Sequence, residues 1–220
     1  MFASALPARA SAILEFTNPC STSPCTNGSI DYLGGSNPLT GTNIQIFNLT
    51  ASGTPVNGGN YAVTQGVLTF TTGAFVGYDS TTQVYTFGPG GTFTIRGIVA
   101  SAGILTQQVL LAGTFGSVNF DPHTPTFNTG TITASGTDTK NAQLVSYFGL
   151  LCPTCFAFGG MNISFLTTGS NYNGGAFRTE SEYTDIINTE VPEPASLLLL
   201  GSGLTLVGTM IRRRKNRKLA

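Results

Sequence analysis

Apolar and polar residues alternate along most of this chain. Ile44 and Ile46 are separated by a glutamine, and Phe93 and Ile95 by a threonine. Because successive side chains of a strand point to opposite faces, a period of two predicts strands with one buried and one solvated face. The same alternation predicts strands around further residues: Leu68 and Phe70, Tyr85 and Phe87, Val109 and Leu111, Val118 and Phe120, Ile132 and Ala134, and Met161, Ile163 and Phe165.

Turn-forming residues separate these segments. Residues 57–60 read NGGN, residues 88–91 GPGG and residues 121–125 DPHTP, and Gly, Pro, Asn and Asp favour turns. Many short strands joined by such turns predict an all-β fold over residues 13–178, either an antiparallel β-sandwich or a barrel-like sheet. Residues 141–151 also fit a helix, since their apolar side chains share one helical face: Leu144, Val145, Phe148 and Leu151.

The C-terminal tail contains a long uncharged segment. Residues 195–211 lack any charged side chain, and a run of ~17 apolar residues is about the shortest that crosses a bilayer as a helix. We therefore expect a single transmembrane helix there. Positive residues beside a span stay on the cytoplasmic side. The cations that follow predict a stop-transfer segment over residues 212–218, with the preceding domain outside the cytoplasm: Arg212, Arg213, Arg214, Lys215, Arg217 and Lys218.

A rigid proline motif precedes the apolar segment. Pro192 and Pro194 flank Glu193, and proline favours an extended backbone that does not join the following helix. Together with the apolar segment and the cations, residues 191–218 resemble the PEP-CTERM sorting signal of exported bacterial proteins. The resemblance implies an exosortase, an integral membrane enzyme, that recognises Pro192, Glu193 and Pro194 and cleaves near them. It also implies contact with the lipid bilayer of the inner membrane, followed by transfer to the cell envelope, surface or extracellular matrix.

Two further segments flank the predicted domain. Residues 1–12 end in Ala10-Ser11-Ala12, a pattern typical of signal-peptide cleavage sites, but lack the charged and apolar regions that precede such a site. We interpret them as the remnant of a signal peptide. Residues 179–190 are polar and acidic, and we expect them to form an acidic spacer between the domain and the sorting tail.

Charge is sparse and unevenly distributed. Charged residues make up 9% of the chain, and the formal net charge is zero. Six of the ten bases lie in the tail, so the part before residue 191 carries nine acids and only four bases. A domain with few and mostly negative charges is consistent with export. It also argues against a nucleic-acid partner, because such a partner needs a basic face.

The four cysteines form two close pairs, Cys20 with Cys25 and Cys152 with Cys155. In an exported protein an even number of cysteines indicates disulfides. We favour a local bridge within each pair, and cross-pairing between the pairs stays open. A thiol redox site is disfavoured, because the FAFGG sequence after Cys155 is poor helix material and such sites need a helix N-terminus. A four-cysteine zinc site is disfavoured because thiols in an oxidising compartment pair with each other.

Candidate catalytic residues are few. His123 lies in a proline-rich segment without a nucleophile motif around it. Four aspartates, Asp31, Asp79, Asp121 and Asp138, are scattered singly in what we interpret as turns. No nucleotide-binding or metalloprotease motif is present. We therefore predict no catalytic residue, no cofactor and no metal site.

These patterns predict an exported, non-catalytic protein of the cell surface or extracellular matrix. An enzyme that depends on His123 is a weaker hypothesis. The alternative is a carbohydrate-binding module with extracellular polysaccharide as its partner. Because the chain has no tryptophan, tyrosines would have to stack on the sugars. This alternative requires a solvent-facing row of tyrosines: Tyr32, Tyr61, Tyr78, Tyr85 and Tyr172.

Overall fold

The computed structural model describes residues 12–18, 28–122, 129–150, 156–166 and 172–190. This part contains ten strands, one α-helix and one 3₁₀ turn. The strands are β1 (Ile13–Asn18), β2 (Ser29–Tyr32), β3 (Pro38–Ser52), β4 (Gly59–Tyr78), β5 (Tyr85–Phe87), β6 (Gly91–Val99), β7 (Ile104–Asp121), β8 (Thr129–Lys140), β9 (Phe156–Leu166) and β10 (Phe177–Glu190); the helix is α1 (Ala142–Phe148) and the 3₁₀ turn is Ala100–Ala102.

The strands form one antiparallel sheet that closes on itself. β3 pairs with β4, β4 with β6, and β6 with β7. The series continues from β7 through β8 and β9 to β10. β10 then pairs with β1, and β1 pairs with β3, which completes the ring. The predicted antiparallel, strand-rich character is therefore confirmed, and the pairing makes the sheet barrel-like.

Two positions in this ring are each occupied by two short strands. β1 pairs with the C-terminal part of β3, and β2 pairs with the N-terminal part. Both also pair with β10. In the same manner β5 and β6 lie one after the other between β4 and β7. Because neighbours along the chain are neighbours in the ring, the sheet has a simple up-and-down order and leaves no long unpaired edge.

The inner face of the sheet carries the hydrophobic core. Ile44, Ile46, Phe93 and Ile95 are buried, as the alternation predicts. The outer face is mostly polar, although Phe47, Val76 and Leu105 are exposed. Threonines from neighbouring strands pair across it, as in the contact between Thr114 and Thr137. The other predicted inward pairs are also buried where the structure describes their side chains: Leu68, Phe70, Tyr85, Phe87, Val118, Phe120, Ile132, Ala134, Met161 and Ile163.

One predicted face is wrong in β7. Val109 was expected to point inward with Leu111, but its side chain is exposed, and Leu110 and Leu111 are both buried. The register between β6 and β7 shifts between Ile95 and Arg96, where β7 has one additional residue. Such a bulge interrupts the period of two and moves the following side chains to the other face.

Glycines make room for large rings inside the sheet. Gly41 lies opposite Phe70, and Gly113 lies opposite Phe93, on neighbouring strands. A Cβ atom added to Gly41 would lie 2.1 Å from Cε1 of Phe70, which is far inside van der Waals contact. The ring therefore packs directly on the glycine backbone, so this pair of positions needs a side chain on one strand only.

Helix α1 covers one end of the closed sheet. Asn141 begins it by accepting a hydrogen bond from the backbone N–H of Gln143, and Gly149 ends it with φ of 66°. Leu144 and Phe148 are fully buried in the core. The Phe148 ring also packs against Tyr61 at the start of β4, with 5.5 Å between ring centroids. Of the two interpretations of residues 141–151, the structure shows the helix, at residues 142–148.

Aromatic rings fill the opposite end. Tyr85 lies among the rings of Tyr32, Phe120 and Phe177 at centroid distances of 5.2–5.9 Å. Its hydroxyl accepts a hydrogen bond of 2.9 Å from the backbone N–H of Gly174. Phe75, Tyr78, Phe87 and Tyr172 extend this aromatic cluster. One end of the sheet is thus covered by a helix and the other by rings.

The predicted acidic spacer at residues 179–190 is wrong. These residues form most of β10, which pairs with β1, β2 and β9 and closes the ring. The alternation is hard to see in the sequence because several inner positions of β10 are polar: Ser181, Thr184 and Asn188 are all buried. The domain therefore extends to Glu190, where the compact unit ends.

The predicted transmembrane helix at residues 195–211 lies outside the described residues. Among the residues that the structure describes, no helix has the length and apolarity needed to span a membrane.

Candidate functional site

Among the described residues, one acidic and one basic side chain lie inside the closed sheet. Asp138 and Lys140 are two residues apart on β8, so both point to the inner face. Both side chains are completely buried, with relative exposures of 0%. The Lys140 Nζ atom lies 2.8 Å from Oδ1 of Asp138 and donates a hydrogen bond to it. A buried ion pair of this kind is costly unless further hydrogen bonds complete it.

A third polar side chain reaches the same point from β10. Lys140 Nζ also donates a hydrogen bond to Oδ1 of Asn188, which is fully buried. We refer to Asp138, Lys140 and Asn188 as the Lys140 cluster. β9 lies between β8 and β10 in the sheet, so the cluster links two strands that are not neighbours.

Burial and the neighbouring polar groups act in opposite directions on the pKa of Asp138 in the Lys140 cluster. Desolvation raises the pKa of the Asp138 carboxyl, and the Lys140 ammonium and the Asn188 amide act in the opposite direction. Oδ2 of Asp138 and Nδ2 of Asn188 are buried without a hydrogen-bond partner. The carboxyl and the amide are thus close enough to interact without satisfying each other.

Apolar residues surround the Lys140 cluster in the sheet register. Leu111 lies opposite Lys140 on β7, and Leu14 lies opposite Asn188 on β1. Both leucines are fully buried. Low dielectric strengthens interactions between the polar groups and disfavours their charged forms. The cluster therefore brings an amine, an amide carbonyl and a carboxyl together in a dry environment.

The sequence alone predicts a turn at Asp138 and no role for Lys140 or Asn188. The signal for the pair was nevertheless present, because Ile132, Ala134, Asp138 and Lys140 continue one period-two series on the buried face of β8. Asp31 was also expected in a turn, but it lies in β2. No comparable sequence signal connects Asn188 to β8, since the contact reaches across β9 between residues far apart in the chain.

A second pair of interacting ionisable side chains, both of them acidic, lies on the outer face. Asp185 of β10 and Glu15 of β1 are diagonal neighbours, because Glu15 pairs with Ile187. Desolvation, followed by the charge and hydrogen bond of Glu15, raises the pKa of Asp185 from 3.8 to about 6. Tyr183 beside them has its pKa raised by burial and then by the two carboxylates. This pair stores electrostatic repulsion near neutral pH.

Replacing Asp185 by asparagine is expected to stabilise the domain at pH 7. Between pH 3.8 and about 6 the folded state retains a proton that the unfolded state has lost, so wild-type stability falls as pH rises through this interval. The complete shift corresponds to about 3 kcal/mol, and solvent screening at this partly exposed carboxyl reduces the expected gain to ~1 kcal/mol. Urea unfolding at pH 4 and pH 7 measures it.

Asp79→Asn is the matched control for this prediction. Asp79 accepts backbone hydrogen bonds from Thr81 and Thr82 in the turn after β4, and these bonds lower its pKa. Its replacement should reduce stability at pH 7, with the opposite dependence on pH. An Asp185→Asn variant that is less stable than wild type at pH 7 contradicts the assignment.

Most site residues predicted from the sequence lie outside the described residues. This applies to His123, to the candidate disulfide cysteines Cys20, Cys25, Cys152 and Cys155, to the sorting motif Pro192, Glu193 and Pro194, and to the cations of residues 212–218. Asp31 is described, and it forms an exposed ion pair with Arg178 at 3.4 Å. Within the described ranges no three His, Cys, Asp or Glu side chains converge into a group suited to a metal ion.

Comparison with known protein families identifies the C-terminal segment. The model of the PEP-CTERM protein-sorting motif matches residues 190–215, which confirms the resemblance inferred from the sequence. The match begins at Glu190, the residue at which β10 ends. Comparison with curated proteins and with solved structures finds no match.

Proposed function

We propose that this chain is an exported, non-catalytic surface or matrix protein that an exosortase processes at its C-terminal sorting motif. The match of the PEP-CTERM motif to residues 190–215 carries this proposal. The motif directly follows the last strand of a compact domain, so the enzyme would act on a tail attached to a folded unit.

The order of segments in the tail supports a defined route. In this proposal residues 195–211 cross the inner membrane, and the cations of residues 212–218 hold the C-terminus in the cytoplasm. The closed sheet then lies on the outer side. Its polar outer face and closed edges suit a protein that must stay folded and unaggregated outside the cell.

A non-catalytic role is supported by the engagement of the described acids. Asp31 pairs with Arg178, Asp79 stabilises a turn, and Asp138 lies inside the sheet with Lys140. Asp31 and Asp79 hold an ion pair and a turn at the surface, and Asp138 is shielded from an external substrate. The domain therefore has features of stability, and its role in this proposal is structural.

The tyrosine arrangement argues against the carbohydrate-binding alternative. Tyr32 and Tyr85 are buried, and Tyr78 and Tyr172 pack with them in the aromatic cluster. Tyr61 packs against α1 at the other end. Stacking on sugar rings needs exposed aromatic faces, so these tyrosines do not supply the row that the alternative requires.

Intact-mass measurement of the mature protein tests the proposal. The full chain is produced in a host with and without an exosortase that is active on another substrate. With the enzyme, we expect a product that ends near residues 192–194 and lacks residues 195–220. Without the enzyme, the tail should stay attached.

A triple variant with Pro192→Ala, Glu193→Gln and Pro194→Ala should retain the tail in the presence of the enzyme. Pro89→Ala is the control, because it changes a proline in the turn between β5 and β6 and should be processed like wild type. A wild-type product that keeps residues 195–220 beside an active exosortase refutes the proposal and leaves a permanent anchor.

A further inference from the structure

The Lys140 cluster contains the three groups that form an amide bond between side chains. The amine of Lys140 contacts the amide oxygen of Asn188, and that oxygen is bonded to the carbonyl carbon that the amine would attack. The Asp138 carboxyl lies 2.8 Å from the same amine. Nucleophile, electrophilic carbon and proton-transfer group are thus held together before any reaction.

We propose that Lys140 and Asn188 become joined by an intramolecular amide bond, with Asp138 transferring the protons. This modification concerns residues inside the domain, and it does not depend on how the sorting tail is processed.

The reaction needs no co-reactant. Asp138 first accepts a proton from the Lys140 ammonium, which leaves a neutral amine with a free electron pair. Nζ attacks Cγ of Asn188, and the protonated Asp138 stabilises the negative charge that develops on Oδ1. Asp138 then carries a proton from Nζ to Nδ2. The Cγ–Nδ2 bond breaks and ammonia leaves. Asp138 passes the proton that it first took from Lys140 to the departing ammonia, which becomes ammonium, and Asp138 returns to the carboxylate.

The burial of the cluster favours this chemistry. A neutral amine is needed for attack, and an apolar environment disfavours the ammonium form. Burial also raises the pKa of Asp138, so this carboxyl can hold the transferred proton. The side chains of Lys140 and Asp138 are completely buried, which excludes competing water.

The unsatisfied atoms of the cluster are those that the reaction uses. Nδ2 of Asn188 has no hydrogen-bond partner and would depart as ammonia. Oδ2 of Asp138 has none either and is available to carry the proton. The product replaces a buried ammonium and an unpaired NH₂ group by one neutral amide, which removes two costs of the present arrangement.

The amide bond would connect β8 to β10 across β9. It would close a covalent loop from residue 140 to residue 188 that includes α1 and β9. Because β10 is the strand that precedes the sorting motif, the link would fix the C-terminal strand to the body of the domain. Pulling on that strand from the tail would then load a covalent bond as well as hydrogen bonds.

Tryptic digestion of the reduced and denatured full chain tests the proposal. Before the tail, trypsin can cut after Arg9, Arg96, Lys140 and Arg178, but it does not cut after an acylated lysine. If the bond forms, fragment 97–178 should stay uncut at Lys140 and be joined to the fragment that begins at residue 179. The joined mass should be lower than the sum of its parts by one ammonia. Free fragments 97–140 and 141–178 as the main wild-type products would overturn the proposal.

Two variants separate the roles of Lys140 and Asp138. Lys140→Arg keeps the positive charge but has no amine that forms this bond, and it should give no joined fragment. Asp138→Asn keeps the shape but removes the proton transfer, and the yield should fall at least tenfold. Full linkage in Asp138→Asn would overturn the role of Asp138. If either variant fails to fold, the wild-type digest alone decides whether the bond exists.

Asn18→Ala is the matched control. Asn18 is also a buried asparagine on the inner face, and both polar atoms of its side chain lack a partner. It lies opposite Thr184, away from Asn188 along β10. Linkage between Lys140 and Asn188 should be complete in this variant, and its loss there would show that the digest reports general destabilisation, which contradicts the proposal.

Discussion

Replacing Lys140 by methionine is expected to lower the free energy of unfolding by about 3–5 kcal/mol, because it leaves the buried Asp138 without its cation. Methionine has a similar unbranched side chain, so the packing volume changes little. Both Lys140 and Asp138 have side-chain exposures of 0%. If the amide bond to Asn188 forms, the loss should be larger, since the variant cannot make that bond.

The same variant should regain part of its stability in acid. Without Lys140, the causes that remain leave the pKa of Asp138 raised by burial. Between the ordinary pKa of an aspartate and the raised pKa of Asp138, the folded state binds a proton that the unfolded state has released. The stability of the variant therefore falls as pH rises between these two pKa values. Urea unfolding of Lys140→Met and wild type at pH 5 and pH 7 should show the larger difference at pH 7.

The exposed ion pair supplies the control for this prediction. Arg178 is 73% exposed and contacts Asp31 on the surface. Surface pairs contribute ~0–1 kcal/mol, so Arg178→Met should change stability by no more than that. A Lys140→Met variant within about 1 kcal/mol of wild type contradicts the buried-pair assignment.

The inner faces of most strands could be predicted from the sequence. Ile44, Phe93 and Ile132 lie in segments where apolar residues alternate with polar ones, and all three are buried. This works because a half-buried strand repeats its environment every two residues. Where a bulge adds a residue, as at Leu110 between Val109 and Leu111, the repeat fails and the sequence alone places Val109 on the wrong face.

The closure of the sheet could not be predicted in this way. It depends on β10, whose inner positions include Ser181, Thr184 and Asn188. Polar residues on a buried face look like a solvated linker in the sequence. Only the pairing of β10 with β1 shows that these residues are inside. The place of Asn188 in the Lys140 cluster could not be predicted for the same reason, since it lies on β10 and reaches Lys140 of β8 across β9.

The sorting tail, unlike the closure of the sheet, can be identified from the local sequence alone. Its proline motif, apolar segment and cations occur in a fixed order over few residues, so local sequence identifies it, and the family model matches residues 190–215. The Lys140 cluster instead combines residues that are 48 positions apart. Local motifs are therefore readable from the sequence, and sites assembled by long-range pairing need the fold.

Replacing Tyr85 by alanine is expected to lower the free energy of unfolding by about 3–5 kcal/mol, the usual cost of removing a large buried ring. Tyr85 is fully buried at the centre of the aromatic cluster. Its ring lies 4.8 Å from that of Tyr78 and 5.2 Å from that of Phe177. Because no helix covers this end of the described domain, the rings themselves exclude water, and a cavity at their centre opens the end of the core.

Tyr85→Phe separates the ring from its hydroxyl. Phenylalanine keeps the ring contacts and loses only the hydrogen bond from the Gly174 N–H, which should cost about 1 kcal/mol. Tyr183→Ala on the outer face is a second control, because Tyr183 is 38% exposed and should matter much less. Urea unfolding measures all three variants. Equal losses for Tyr85→Ala and Tyr85→Phe would show that the hydroxyl, and not ring packing, maintains this end, which contradicts the expectation.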